Sequence, residues 1–404
     1  SRGLCTGEAL ASLIKAIYRS LDFANASPLS LVRFITMLRV PVLSPDGKPL
    51  MPAKASRVRR WLKAGKAKIT HNDLGIFQVQ LVNPPSGEET QDIVAGIDPG
   101  KLFTGVAVQS AKATLFLAHL NLPFKNVTKR MTQRAMMRRG RRGRRINRKV
   151  SFNQRSHRQH RFDNRKGNKI PPSIRANKQL ALRVVQELSG VYPFTDVVVE
   201  TIKAKGDKGF SPAMVGQYWQ IEQLEANGYT VYTQEGWHTS NRRKYLGLPK
   251  AKNKAESSPA AHAVDGICIA ASQFMRYRQV KGRSGLWLGS IEVTSCQFAV
   301  ISRPPICRRQ LHLMIKSKGG KRRGYGGTVT RHGFRKGDYV KAIKADITYY
   351  GYVSGDTKTQ VSVSNANWKR IGRFTASKVQ LLQRSTGLVS TVGLSNLTAL
   401  SGAV

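Results

Sequence analysis

Three acidic residues stand out by where they fall. Asp98 closes the apolar run Ile93 to Asp98, Glu200 lies near the end of the short apolar segment Asp196 to Thr201, and Asp265 interrupts an apolar helical pattern from Ser257 to Phe274. Carboxylate oxygens are the ligands Mg²⁺ prefers, and substrate phosphates commonly complete its shell. Two such ions about 4 Å apart activate an attacking water and stabilise the leaving oxygen of a phosphodiester. His262 precedes Asp265 by three residues, so the two share one helix face. A histidine there is suited to take the proton of the attacking water. Each residue also has a plainer reading: Asp98 before Pro99-Gly100 as a turn-former, Glu200 as a surface charge, His262 as a core histidine. The set is what points to a metal site, because the whole chain has only 22 acidic residues.

The charge balance names the substrate class. Lys and Arg number 68, and the formal net charge is +46 over 404 residues. An ordinary metabolic enzyme gains nothing from such self-repulsion, whereas duplex DNA presents one charge per ~1.7 Å of axis. A polyanion partner follows. The 40% hydrophobic content still permits folded domains, and the length suits several. Four cysteines (Cys5, Cys268, Cys296, Cys307) include no CxxC pair, which fits a reducing, cytoplasmic setting. No uncharged apolar run is long enough to span a membrane.

The elements that must position the acids can be read in order. Residues 1–36 read as a dispensable extension before Met37. Residues 37–91 suggest a small αβ module: a strand from Leu38 to Leu43, a turn at Pro45-Asp46-Gly47, a basic helix from Ala53 to Ala64 stopped by Gly65, and a strand from Ile76 to Val82. Arg57, Arg59 and Arg60 give this module a positive face for phosphate. Residues 92–124 read as three strands in an antiparallel meander.

Residues 125–166 then carry 17 Lys or Arg against one acid, Asp163. With almost no apolar stripe, such a segment has no face to bury. An arginine-rich helix lying on nucleic acid, about 60 Å long if continuous, accounts for it. Its candidate phosphate contacts are Arg138, Arg139, Arg141, Arg142, Arg144, Arg145 and Arg148. Residues 167–285 alternate helix and strand: helices from Ile174 to Leu188 and Ala213 to Ala226, strands from Asp196 to Thr201 and Tyr229 to Gln234, and the final helix from Ser257. Residues 286–404 show short β patterns and Gly turns suited to a small barrel. The expected architecture is α/β and multidomain: a mixed sheet flanked by helices, with the basic segment inserted after its third strand.

Gly96-Ile97-Asp98-Pro99-Gly100, the arginine-rich insertion, Val197-Val198-Val199-Glu200 and His262-Ala263-Val264-Asp265 together resemble a split RuvC nuclease domain, ribonuclease H-like, with its bridge helix. Pro49-Leu50-Met51-Pro52 before a basic helix resembles the N-terminal module of the IscB group of transposon-encoded, RNA-guided nucleases. Leu246-Gly247-Leu248-Pro249-Lys250 is similar to that group too. So are Tyr325-Gly326-Gly327-Thr328 and Arg335-Lys336-Gly337-Asp338 in the tail. The interval from Thr201 to Ala261 has no cysteine and one histidine, His238, too little for the HNH nuclease of IscB proper. The likeness is therefore to the shorter, HNH-lacking IsrB relatives.

That resemblance implies a monomeric protein bound to a long structured guide RNA (an omega RNA). It would open target double-stranded DNA beside a short adjacent motif and nick the displaced strand. Asp98, Glu200 and Asp265 would hold two Mg²⁺ ions, with Mn²⁺ as a substitute, and His262 would assist the water. Arg331, His332, Arg335 and Lys336 are the candidate readers of the adjacent motif. Two other readings stay open: a RuvC-only double-strand endonuclease, and a non-catalytic RNA- or DNA-binding protein. If the basic segment makes 6–10 phosphate contacts, nucleic-acid affinity falls about 10³–10⁵-fold between 50 and 200 mM salt. A salt titration of binding with a flat response would remove that segment from the interface.

Overall fold

The computed structural model describes residues 39–123, 127–145, 149–154, 170–203, 213–253, 255–280, 283–305 and 329–395. The extension 1–36, Arg148 and the Tyr325-Gly326-Gly327-Thr328 motif lie outside them.

The N-terminal module consists of β1 (Arg39–Leu43), β2 (Pro49–Lys54), α1 (Ala55–Lys63), β3 (Ala67–His71) and β4 (Phe77–Leu81). Its sheet runs β2-β1-β4-β3. The sequence reading missed β2 and β3. The Pro49-Leu50-Met51-Pro52 motif is a strand whose alternation serves two cores: Leu50 packs inside the module, whereas Met51 packs against the main core of the protein. Leu74 and Ile76, both fully buried, join that main core as well.

The expected meander is present as β5 (Ile93–Pro99), β6 (Phe103–Ser110) and β7 (Ala113–Asn121), paired antiparallel in that order. The basic helix α2 (Val127–Arg145) follows. At 19 residues it is about 28 Å long, less than half the continuous helix expected for 125–166. It leaves Met131, Met136 and Met137 exposed, so among the described residues no apolar stripe is buried along it.

The chain continues through α3 (Pro172–Ser189), β8 (Asp196–Thr201), α4 (Gln217–Ala226), β9 (Thr230–Glu235) and α5 (Gly236–Tyr245). The single helix expected from Ser257 to Phe274 is instead three pieces: a π-helical turn Pro259–Ala263, the α-helix α6 (Val264–Ala270) and a 3₁₀ turn Ala271–Gln273. A hairpin of β10 (Arg276–Val280) and β11 (Arg283–Leu288) comes next, then β12 (Gln297–Ser302).

The remaining strands are β13 (Tyr339–Lys344), β14 (Ile347–Asp356), β15 (Gln360–Ser364), β16 (Arg370–Thr375), β17 (Val379–Gln383) and β18 (Val389–Leu394). The first five of these form one antiparallel sheet, β16-β15-β14-β13-β17. All five strands contribute to a single core around Val340, Val353, Val363 and Phe374, so the sheet curls on itself. No pairing joins β16 to β17 among the described residues, so the expected barrel is an open curled sheet. The boundary expected at 286 also needs correction. β12 and β18 leave this unit and extend the central sheet, whose order is β18-β12-β7-β6-β5-β8-β9.

Helices cover both faces of that seven-stranded sheet. On one face α3 packs Leu180, Val184 and Leu188 against Ala95, Ile97, Val197 and Val199. The alternate residues Val94 and Val198 meet Ile269 and Ala270 of α6 on the other face. This second contact is unusually close. A Cβ added at Gly96 would lie 2.1 Å from the Gly266 carbonyl oxygen, and one at Gly105 would lie 2.0 Å from that of His262. Glycine is required where two backbones approach so nearly. Gly105→Ala is therefore expected to cost about 1–3 kcal/mol in urea unfolding. Gly355→Ala, with nothing within 4 Å of its Cβ, should be near neutral. Equal effects of the two would contradict this packing.

Candidate active site

The strand period places the acids. Side chains alternate along β5 and β8, so Asp98 shares the face of Val94 and Gly96, and Glu200 shares that of Val198. β5 and β8 are parallel neighbours with Gly96 opposite Val198 and Ile97 opposite Val199. One further step along this register brings Asp98 and Glu200 to neighbouring positions at the carboxyl ends, where ligands bind in open α/β sheets, and the charge of Asp98 acts on Glu200. The segment lying on this face brings the other two. His262 sits on the π-helical turn, with Nδ1 3.6 Å from Asp98 Oδ2. Asp265, buried, occupies the first turn of α6. Irregular π turns frequently mark functional positions in helices.

Electrostatics ties the cluster together. Glu200 has its pKa raised to about 7, first by burial and then by the charge of Asp98, with a smaller contribution from Asp265. Thr239 Oγ1 donates to Glu200 Oε2 at 2.5 Å and opposes that rise. Asp265 is held by cations on both oxygens: Arg243 Nη1 lies 2.5 Å from Oδ1, and Lys250 Nζ donates to Oδ2. Behind His262 stands His119 of β7, fully buried, its ring 5.3 Å from that of His262 and 4.9 Å from that of Phe103. Burial, and then the nearby His262, lower the His119 pKa to about 4, so His119 is neutral at pH 7.

The expected cage of three carboxylates is not preformed. Among the described residues, no group of three or more His, Cys, Asp or Glu side chains is arranged to hold a metal ion. The physical reason lies in Asp265, whose carboxylate is turned to Arg243 and Lys250. Charge nevertheless favours a cation here, since Glu200 is a half-buried acid whose pKa is raised by desolvation and then by the carboxylates of Asp98 and Asp265.

Sequence reasoning missed α5 and, with it, Thr239 and Arg243. Its signal is faint: only Thr239 and Arg242 are buried, so no apolar stripe announces the helix. Arg242 bonds Gln234 Oε1 at 2.6 Å and the Cys268 carbonyl at 3.0 Å, tying α5 to β9 and α6. Sequence reasoning also missed His119, whose signal is a single histidine in the mostly apolar strand β7.

The basic and adjacent-motif candidates lie elsewhere. Arg57, Arg59 and Arg60 are exposed on α1, with Arg57 6.0 Å over the Trp61 ring. Arg138, Arg139, Arg141, Arg142, Arg144 and Arg145 are on α2, and Arg139 is exposed. In the tail, His332 Nε2 lies 3.1 Å from the Thr357 carbonyl, and Lys336 Nζ donates to the Pro305 carbonyl at 2.6 Å. Arg331 Nε stands 4.0 Å from Asp356, and Arg335 is exposed. The Arg335-Lys336-Gly337-Asp338 motif has a structural basis. Fully buried Asp338 accepts from the Arg335 and Ser385 amides and from Arg384, and Gly337 takes φ +94°.

Residues 40–219 match the family model described as RRXRR protein. Two solved structures are similar to part of the chain. T. thermophilus RuvC in complex with a Holliday junction substrate is 15% identical, with 45% of this chain and 90% of that one covered and a TM-score of 0.25. A second Thermus thermophilus RuvC structure is 15% identical, with 44% and 90% covered and a TM-score of 0.23. No curated protein matches the chain. Among the described residues, no helix is long and apolar enough to cross a membrane.

Glu200 makes stability depend on pH in a defined direction. Its folded pKa of about 7 lies above the usual 4.5, so its contribution is fully present below pH 4.5 and is lost as pH rises through 7. With chelator present, the fall in stability from pH 4.5 to 8 is expected to be about 1–3 kcal/mol smaller in Glu200→Gln than in the parent. Identical pH profiles from thermal unfolding would contradict the burial described here.

Proposed function

We propose that this protein is a metal-dependent DNA endonuclease of the RuvC type, and that it acts as an RNA-guided nickase like the IsrB relatives its motifs resemble. The observation that carries the reading is the side-by-side position of Asp98 and Glu200 at the carboxyl ends of adjacent parallel strands, with His262 and Asp265 delivered onto the same face. Asp98 and Glu200 are the residues that would hold the divalent ions, joined by Asp265 once its carboxylate is freed. The ions, when bound, supply water activation and stabilisation of the departing oxygen.

The chain's own residues supply the rest. His262, oriented by Asp98 in front and His119 behind, is positioned to accept a proton from water. The Thr239 hydroxyl fixes the Glu200 carboxylate. The exposed arginines of α1 and the exposed Arg139 of α2 offer forked donors for phosphate, and α2 is suited to lie along a guide–target duplex as a bridge helix. The +46 charge and the RRXRR match over residues 40–219 support a nucleic-acid partner.

The test uses the full chain with its guide RNA and a supercoiled plasmid bearing a matched target in Mg²⁺. The parent is expected to give open-circle product, and Asp98→Ala to bind target DNA without cutting it. Prompt linear product would favour a double-strand endonuclease. Cleavage by Asp98→Ala at the parental rate would overturn the site, and no cleavage by the parent would favour a nucleic-acid-binding protein with structural carboxylates.

A further inference from the structure

The acid cluster carries two cations of its own, and they are not equivalent. Arg243 is on α5, its side chain only 18% exposed, and its neighbour Arg242 anchors that helix to Gln234 and to the Cys268 carbonyl. Lys250 lies outside any helix, at the end of the Leu246-Gly247-Leu248-Pro249-Lys250 segment, with 34% of its side chain exposed. It carries a compact charge on a flexible four-carbon stem, whereas the guanidinium of Arg243 is planar and rigid. Lys250 also reaches a second acid, since its charge opposes the rise in the Glu200 pKa. Its ammonium sits on the Asp265 carboxylate, one of the oxygens a divalent ion would take.

We propose that Lys250 is the resident counter-cation of the acid cluster: in the ion-free protein it holds Asp265, and a divalent ion loads by displacing it while Arg243 stays in place. This rests on the nuclease reading above, and it assigns a positioning role to a motif residue that the reading leaves unused. Three buried or half-buried carboxylates with no cation among them would be strongly destabilising, because a buried charge without a partner keeps its desolvation cost. A mobile ammonium answers that problem without blocking the site permanently. It also makes ion binding an exchange, so the affinity for the ion is set partly by how hard Lys250 holds on.

The direction of the test is the reverse of what loss of a merely structural contact gives. Mn²⁺ binding to the full chain, without nucleic acid, is read by electron paramagnetic resonance. Lys250→Met is expected to bind Mn²⁺ about tenfold more tightly than the parent. Lys250→Gln should shift the same way, and Lys250→Arg should stay near the parent. Exposed Lys252→Met controls for the loss of one charge in a very basic chain and should leave affinity unchanged. Glu200→Gln should abolish the site in every background. A Glu200-dependent Mn²⁺ site that is equal or weaker in both Lys250→Met and Lys250→Gln overturns the exchange and leaves the nuclease reading intact. Absence of any Glu200-dependent Mn²⁺ site overturns both.

Discussion

Everything at the proposed site hangs on how closely one irregular helical segment lies on the central sheet. Gly96 and Gly105 on the strands and Gly266 on α6 remove the side chains that would otherwise hold the backbones apart. Because the contact is backbone on backbone, its geometry has little slack. Asp98 is fixed by its strand, and His262 and Asp265 are fixed by the segment pressed against it. The π-helical turn just before α6 carries His262 beside Asp98, while Asp265 at the start of α6 turns its carboxylate to Arg243 and Lys250.

The second constraint is charge. A chain with a large positive surplus concentrates three of its few acids on one sheet face, then balances them unevenly. Asp265 is neutralised by two cations, whereas Glu200 receives the Thr239 hydroxyl and keeps a pKa raised toward its protonated form. This asymmetry separates a cluster that merely tolerates its charge from one that can take up more positive charge. α5 is the brace in both cases, reaching Glu200 through Thr239 and Asp265 through Arg243.

Much of this was legible in the sequence because it is local. The β5–β7 meander follows from apolar runs joined by short turns, and the placement of Asp98 and Glu200 at strand ends follows from where those runs stop. The rest depends on partners far away in the chain. The parallel pairing of β12 with β7 joins segments about 180 residues apart, and no local pattern announces it. α5 buries a threonine and an arginine rather than an apolar stripe, so periodicity passes over it. The π turn carries the His262 carbonyl that lies against Gly105, a tertiary contact that no local pattern announces. The Lys250 motif was visible as a motif, but the contact with Asp265 that gives it meaning exists only in three dimensions.

The most direct measurement is anomalous diffraction from crystals of the protein soaked in Mn²⁺. The account predicts manganese density between the Asp98 and Glu200 carboxylates, with Lys250 turned away from Asp265. Density absent from that strand pair in crystals of well-ordered, Mn²⁺-saturated protein would contradict it.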